Sequence, residues 1–188
     1  MAVLCEAAEN GDDKAVRHLI GMMSSDEVAE FESCRLSELH GGKTPLHLAA
    51  RNGHYNTVKA LVSGLSSNQC AVTNSDNSLV ADETALMLAA ERGHDKVVEL
   101  LISVMDKRDL YKEDGCGLTA LDYVIRAMDQ DSADGLDPSD GHKKIFEMLT
   151  TTGGSQEPII IERLSKIERP APSITAYQLY LAIGDKFK

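Results

Sequence analysis

Apolar positions along this chain fall into paired clusters with a glycine between them. In residues 84–101 the first cluster is Leu86, Leu88, Ala89 and Ala90, which makes a short helix apolar on most sides. The second is Val97, Val98, Leu100 and Leu101, along one face of an amphipathic helix. Gly93 stands between them, just past a helix end, where a positive φ costs least. Residues 44–61 repeat this order, with Leu46, Leu48, Ala49 and Ala50, then Gly53, then Val58 and Leu61. A hairpin this apolar cannot bury its surface alone and must stack on neighbours. The pattern therefore predicts an all-α solenoid of stacked helix-turn-helix units.

Two further units are less regular. In residues 1–20, Leu4-Cys5-Glu6-Ala7-Ala8-Glu9-Asn10-Gly11 aligns with Leu46-His47-Leu48-Ala49-Ala50-Arg51-Asn52-Gly53, and Ala15, Val16, Leu19 and Ile20 supply the second apolar face. Glu6 takes the place of Leu48 and Leu88, as suits an outer unit with one face in water. In residues 117–150, Leu118 to Ala127 reads as a first helix and His142 to Leu149 as a second. The threonine-to-histidine spacing is 10 from Thr44 to His54 and from Thr84 to His94, but 23 from Thr119 to His142. That places an insert of 13 residues, 129–141, between the helices, with Asp129, Asp131, Asp134, Asp137 and Asp140 in it. A solvated acidic loop is expected there.

The connectors are long. Residues 21–43 hold a possible helix start at Ser24-Ser25-Asp26-Glu27, giving a short helix near 25–32, and His40-Gly41-Gly42 ends the link. Residues 63–83 are polar and turn-rich. After residue 150, Thr151-Thr152-Gly153-Gly154-Ser155 breaks the pattern, short helices are expected within 158–167 and 173–183, and Pro170-Ala171-Pro172 is an extended spacer. The chain thus divides into a repeat domain over 1–150, with units near 1–20, 42–62, 82–102 and 117–150, and an extension over 151–188. That extension is expected to cap the open end of the array, since a solenoid end needs cover.

Thr44-Pro45-Leu46-His47-Leu48-Ala49-Ala50 followed by Gly53-His54 resembles the ankyrin repeat family, and Thr84-Ala85-Leu86-Met87-Leu88-Ala89-Ala90 with Gly93-His94 resembles it with Ala for Pro and Met for His. The resemblance implies an ankyrin solenoid with β-turn fingers between units. Thr44 then caps a helix that Pro45 opens at its first position. Thr44 and Thr84 are 40 positions apart against a family repeat of 33, so the excess belongs to the connector, where Asp82 stands in the place of Gly42. Thr84 and Thr119 are 35 apart, and Glu113-Asp114-Gly115 is a turn signal where a finger should turn. The resemblance also implies that His47 belongs to a structural hydrogen-bond network at the repeat junction. His54 and His94, after the glycine, are expected to bond local backbone and turn groups.

Composition narrows the function. The 188 residues carry a net charge of −11, which argues against a phosphate-backbone ligand and is compatible with a basic partner surface. Hydrophobic content is 43% with 4% aromatics and no Trp, which suits stacked helices better than a β-sandwich. Cys5, Cys34, Cys70 and Cys116 form no CxxC pair, so neither a zinc site nor a disulfide framework is predicted. Reduced thiols suit the cytoplasm, with the nucleus left open. Neither a signal peptide nor a membrane span is read. From Asp129 the acidic insert misses the calcium-loop register, with Ala133 at position 5 and Gly135 one place late. Gly41-Gly42-Lys43-Thr44 lacks the first glycine of a phosphate loop, Ser37 standing there. No catalytic constellation, cofactor or metal site is expected.

Ankyrin arrays generally bind proteins along a concave side lined by finger turns and the ends of the first helices. Carried over position by position, this assigns Glu9 and Asn10 in the first unit, and Lys43, Arg51 and Asn52 in the second. It assigns Glu83, Glu91 and Arg92 in the third, and Leu118 and Arg126 in the fourth. The expectation is a monomeric, non-enzymatic scaffold or adaptor for another protein, binding neither nucleic acid nor membrane. The alternative is a regulatory or inhibitory subunit acting on a separate enzyme such as a kinase.

Overall fold

The computed structural model describes residues 2–24, 27, 42–65, 67–74, 82–133 and 138–152. Four helical hairpins follow one another: α1 (Ala2–Asn10) with α2 (Asp13–Gly21), α3 (Pro45–Arg51) with α4 (Tyr55–Val62), α6 (Ala85–Glu91) with α7 (Asp95–Val104), and α8 (Ala120–Ala133) with α9 (Asp140–Thr152). A short α5 (Ser67–Cys70) and a 3₁₀ turn (Asp109–Tyr111) lie in the connectors. First helices stack on first helices, α1 on α3, α3 on α6, α6 on α8. Second helices stack likewise, α2 on α4, α4 on α7, α7 on α9. No strand occurs among the described residues, only an isolated antiparallel bridge between Thr73 and Thr84.

The core runs continuously through the stack. Leu46, Ala49, Ala50, Leu86, Ala89 and Ala90 are buried, and Val58, Leu61, Val97, Val98 and Leu101 meet them from the second helices. Alanine pairs let neighbouring backbones approach closely. The 63–83 connector is partly folded, with α5 ending in buried Cys70 and Ala71 and packing toward α7. At the other link, Ser24 and Glu27 exchange capping bonds, Glu27 N to Ser24 Oγ (3.3 Å) and Ser24 N to Glu27 Oε2 (2.7 Å). Apart from Glu27, the helix expected near 25–32 lies outside the described residues, as do the helices expected within 158–167 and 173–183.

The fourth unit corrects the expectation of an acidic loop. Residues 129–133 continue α8, and Asp140 and Gly141 open α9. The cause lies nine positions after each capping threonine. Gly53 and Gly93 stand there with φ of 73° and 72° and end their helices, whereas the fourth unit has Met128. A non-glycine residue resists the left-handed conformation, so the helix runs on. Met128 is fully buried in it.

Candidate partner-binding face

Each glycine turn is roofed by the histidine of the next unit. His54 Nε2–H donates to the Glu9 carbonyl (2.9 Å), His94 Nε2–H to the Arg51 carbonyl (3.0 Å) and His142 Nε2–H to the Glu91 carbonyl (3.0 Å). These bonds run between units, which corrects the expectation that His54 and His94 bond their own turns. The turn has no need of them, because His54 N already donates to Ala49 O (3.0 Å) and Tyr55 N to Gly53 O (2.9 Å). The ring lies against the preceding glycine so closely that a Cβ on Gly53 would sit 2.5 Å from His94 Nδ1. Burial, reinforced by the charge of Arg92, holds His94 below the usual histidine pKa, against the opposing effect of its bond to Arg51.

A second network ties the fingers. His47 is fully buried; its Nδ1 accepts from Thr44 N (3.3 Å) and its Nε2–H donates to Glu83 O (3.1 Å). Burial pushes its pKa down to about 4, with Lys43 adding to the shift. This agrees with the structural role that the family resemblance implies. Glu83 N donates to Asn74 Oδ1 (2.9 Å), and Glu83 Oε2 accepts from Asn74 Nδ2 (2.8 Å). Asp82, in the glycine position before this helix, adopts φ 81°, a conformation Asp tolerates better than most residues. The Tyr123 hydroxyl reaches Glu83 Oε1 (3.1 Å) and Asp114 Oδ2 (2.9 Å). Burial and the bond to Asp114 hold Tyr123 well above the ordinary phenol pKa. The last finger closes from Asp114 to Gly117, one step beyond the Glu113-Asp114-Gly115 reading. Asp114 Oδ1 accepts from Cys116 N and Leu118 N, 2.8 Å each.

The residues expected to face a partner separate into two groups. Glu9, Asn10, Arg51, Asn52, Glu91, Arg92 and Arg126 are exposed. Lys43, Glu83 and Leu118 are half-buried; Glu83 is committed to the finger network, and Leu118 packs against the core. Asn52 Nδ2 also donates to Glu9 O (2.9 Å). Arg92 and Glu91 form a loose pair at 3.7 Å, worth little in solvent. Glu9, Arg51, Glu91 and Arg126 occupy the same position in successive units, so their charges alternate in sign along the stack. The carbonyls of the first three are the ones the histidines grip, which fixes the backbone beneath each side chain. Asp114 reads in the sequence only as a turn residue, and the contacts of Asn74 and Tyr123 with Glu83 escape sequence reasoning, because they join positions with no periodic relation.

Among the described residues no group of three or more His, Cys, Asp or Glu side chains could hold a metal ion, and no helix is long and apolar enough to cross a membrane. Asp129 and Asp131 lie on a helix, and Asp131 Oδ2 approaches His142 Nδ1 (3.5 Å). The family model for ankyrin repeats (3 copies) matches residues 4–114. The chain belongs to the ankyrin repeat family, whose members generally mediate protein–protein interaction and are typically non-enzymatic. The α8–α9 hairpin continues the same stack beyond the matched span. No curated protein matches the chain.

Proposed function

We propose that this chain is a non-enzymatic scaffold or adaptor that binds another protein along the side formed by its fingers and first-helix ends. The observation that supports the reading is the exposed row Glu9, Arg51, Glu91 and Arg126, with Arg92 beside it. Side chains standing on a pinned backbone lose less conformational entropy on binding, and this favours recognition. Alternating charge selects a partner by register more than by net attraction, since like charges brought face to face are penalised. Glu83 and Leu118 then shape the finger edge from beneath, and Lys43 sits at its half-exposed rim.

The test is quantitative affinity purification with the wild-type chain and the triple variant Arg51→Ala, Arg92→Ala, Arg126→Ala. All three positions are exposed, so helical circular dichroism should stay unchanged. Specific partners should be lost from the variant, and retention of every one at the wild-type level would refute the proposal.

A further inference from the structure

The exposed row on the partner side has a spacing as well as an order of signs. Glu9, Arg51, Glu91 and Arg126 each follow the buried pair of a first helix, Ala7-Ala8, Ala49-Ala50, Ala89-Ala90 and Val124-Ile125. Those helices stack in order, α1 on α3, α3 on α6 and α6 on α8. Packed helices lie about 8–10 Å apart, so each charge stands about that far from the next. Among the described residues no ion pair joins one of the four to another, and Glu91 meets only Arg92 beside it. The signs run negative, positive, negative, positive. A complementary segment that slipped by one unit would set like charge against like, which is penalised.

The spacing selects the backbone of that segment. In a β-strand, residues three apart span about 10 Å but point to opposite faces, and residues two apart span only about 7 Å. In an α-helix one face returns near this distance every seven residues, at about 10.5 Å, and the excess accumulates over three steps. A polyproline II segment has three residues per turn, so every third side chain returns to one face at about 9.3 Å. Its backbone makes no internal hydrogen bonds and needs partners. Asn10 and Arg92 are exposed beside the row, and Asn52 has a second amide hydrogen besides the one given to Glu9 O, so donors stand where such a backbone would run. A helical partner would leave them unused. We infer that the partner presents a polyproline II segment charged at every third residue, basic opposite Glu9 and Glu91 and acidic opposite Arg51 and Arg126. This rests on the partner-binding side proposed above.

Fluorescence anisotropy of labelled synthetic peptides against the full chain, at low ionic strength, tests this. The first peptide carries lysine, glutamate, lysine and glutamate at every third place, with prolines between to hold the extended form. The second has the same composition with both lysines before both glutamates. The third is an alanine-rich helix with the alternating charges every seven residues. The first should bind several-fold tighter than the other two, and added salt should weaken it. The double variant Arg51→Glu, Glu91→Arg turns the row into two negative charges followed by two positive ones. It should reverse the preference and favour the second peptide, with circular dichroism unchanged because both positions are exposed. Equal binding of the first two peptides, preference for the helix, or binding of none overturns the inference. If the triple alanine variant still loses its partners, the partner-binding side stands and only the segment assigned to it falls. If that variant keeps every partner and no peptide binds, both fall.

Discussion

At the third position of the first helix, three different residues take the same donor. His47 Nδ1, Met87 Sδ and Asp122 Oδ2 accept from the N–H of Thr44, Thr84 and Thr119 at 3.3, 3.3 and 2.7 Å. Of the three, the histidine ring has its second polar atom on the far side, and it extends the cap to the next finger at Glu83. Nδ1 of the ring can accept from Thr44 N only in the neutral form, and burial favours that form, whereas Nε2–H donates to Glu83 O in either form. Its pKa is depressed from 6.5 to about 4, so the unfolded chain binds the proton more readily between these values. The contribution of His47 is complete above pH 6.5 and is lost as pH falls toward 4, an amplitude of about 3 kcal/mol. His47→Met, which installs the third unit's residue, should cost ~1 kcal/mol at pH 7.5 through the lost bond. The cost is modest because Glu83 O keeps its bond from Asn74 N (2.8 Å). The variant should also show a flatter stability profile between pH 6.5 and 4. Urea unfolding across that range checks this, and profiles running parallel would refute the role given to His47.

At the scale of elements, the hairpins were legible because capping threonines, alanine pairs and glycine turns mark their limits and recur in register. The length of α8 was legible too, in Met128 standing where Gly53 and Gly93 stand, but the aspartates that follow suggested a loop. The finger network was not legible, since Tyr123 meets Glu83 across 40 positions with no sequence period to announce it. Nor was Gly141. Inside a helix, Gly→Ala ordinarily adds up to ~1 kcal/mol of stability. Here α9 begins before His142, so its first turn crosses the preceding glycine turn, and a Cβ on Gly141 would lie 2.2 Å from Gly93 O. Backbone cannot yield as a side-chain tip can. Gly141→Ala should therefore destabilise, by roughly 1–3 kcal/mol as for an overpacked core. It should also loosen the His142 bond to Glu91. A denaturation midpoint that rose in this variant would show that α9 does not approach Gly93 so closely.

Across the whole molecule, stability in a stacked array is a sum of unit and neighbour terms, so it can vary along the stack. Among the described elements the first unit packs on the second alone, Val3 and Met22 are well exposed, and Val16 is the one fully buried residue of α2. The second and third units have neighbours on both sides, and their first helices are buried from end to end but for the last residue. Local opening should follow that gradient. Amide hydrogen exchange read by mass spectrometry should find α1 and α2 exchanging fastest among the helices, and α3, α4, α6 and α7 slowest. The fourth unit should resemble the inner ones, because its first helix is buried like theirs. The histidine ladder sharpens the expectation. The first unit is joined to the second by His54 and Asn52, both donating to the one exposed-side carbonyl of Glu9, whereas the second, third and fourth units share both the ladder and the finger network. Uniform protection over all four hairpins would mean that the array opens as one block, and that the ladder bond at Glu9 couples the first unit as firmly as the finger network couples the rest.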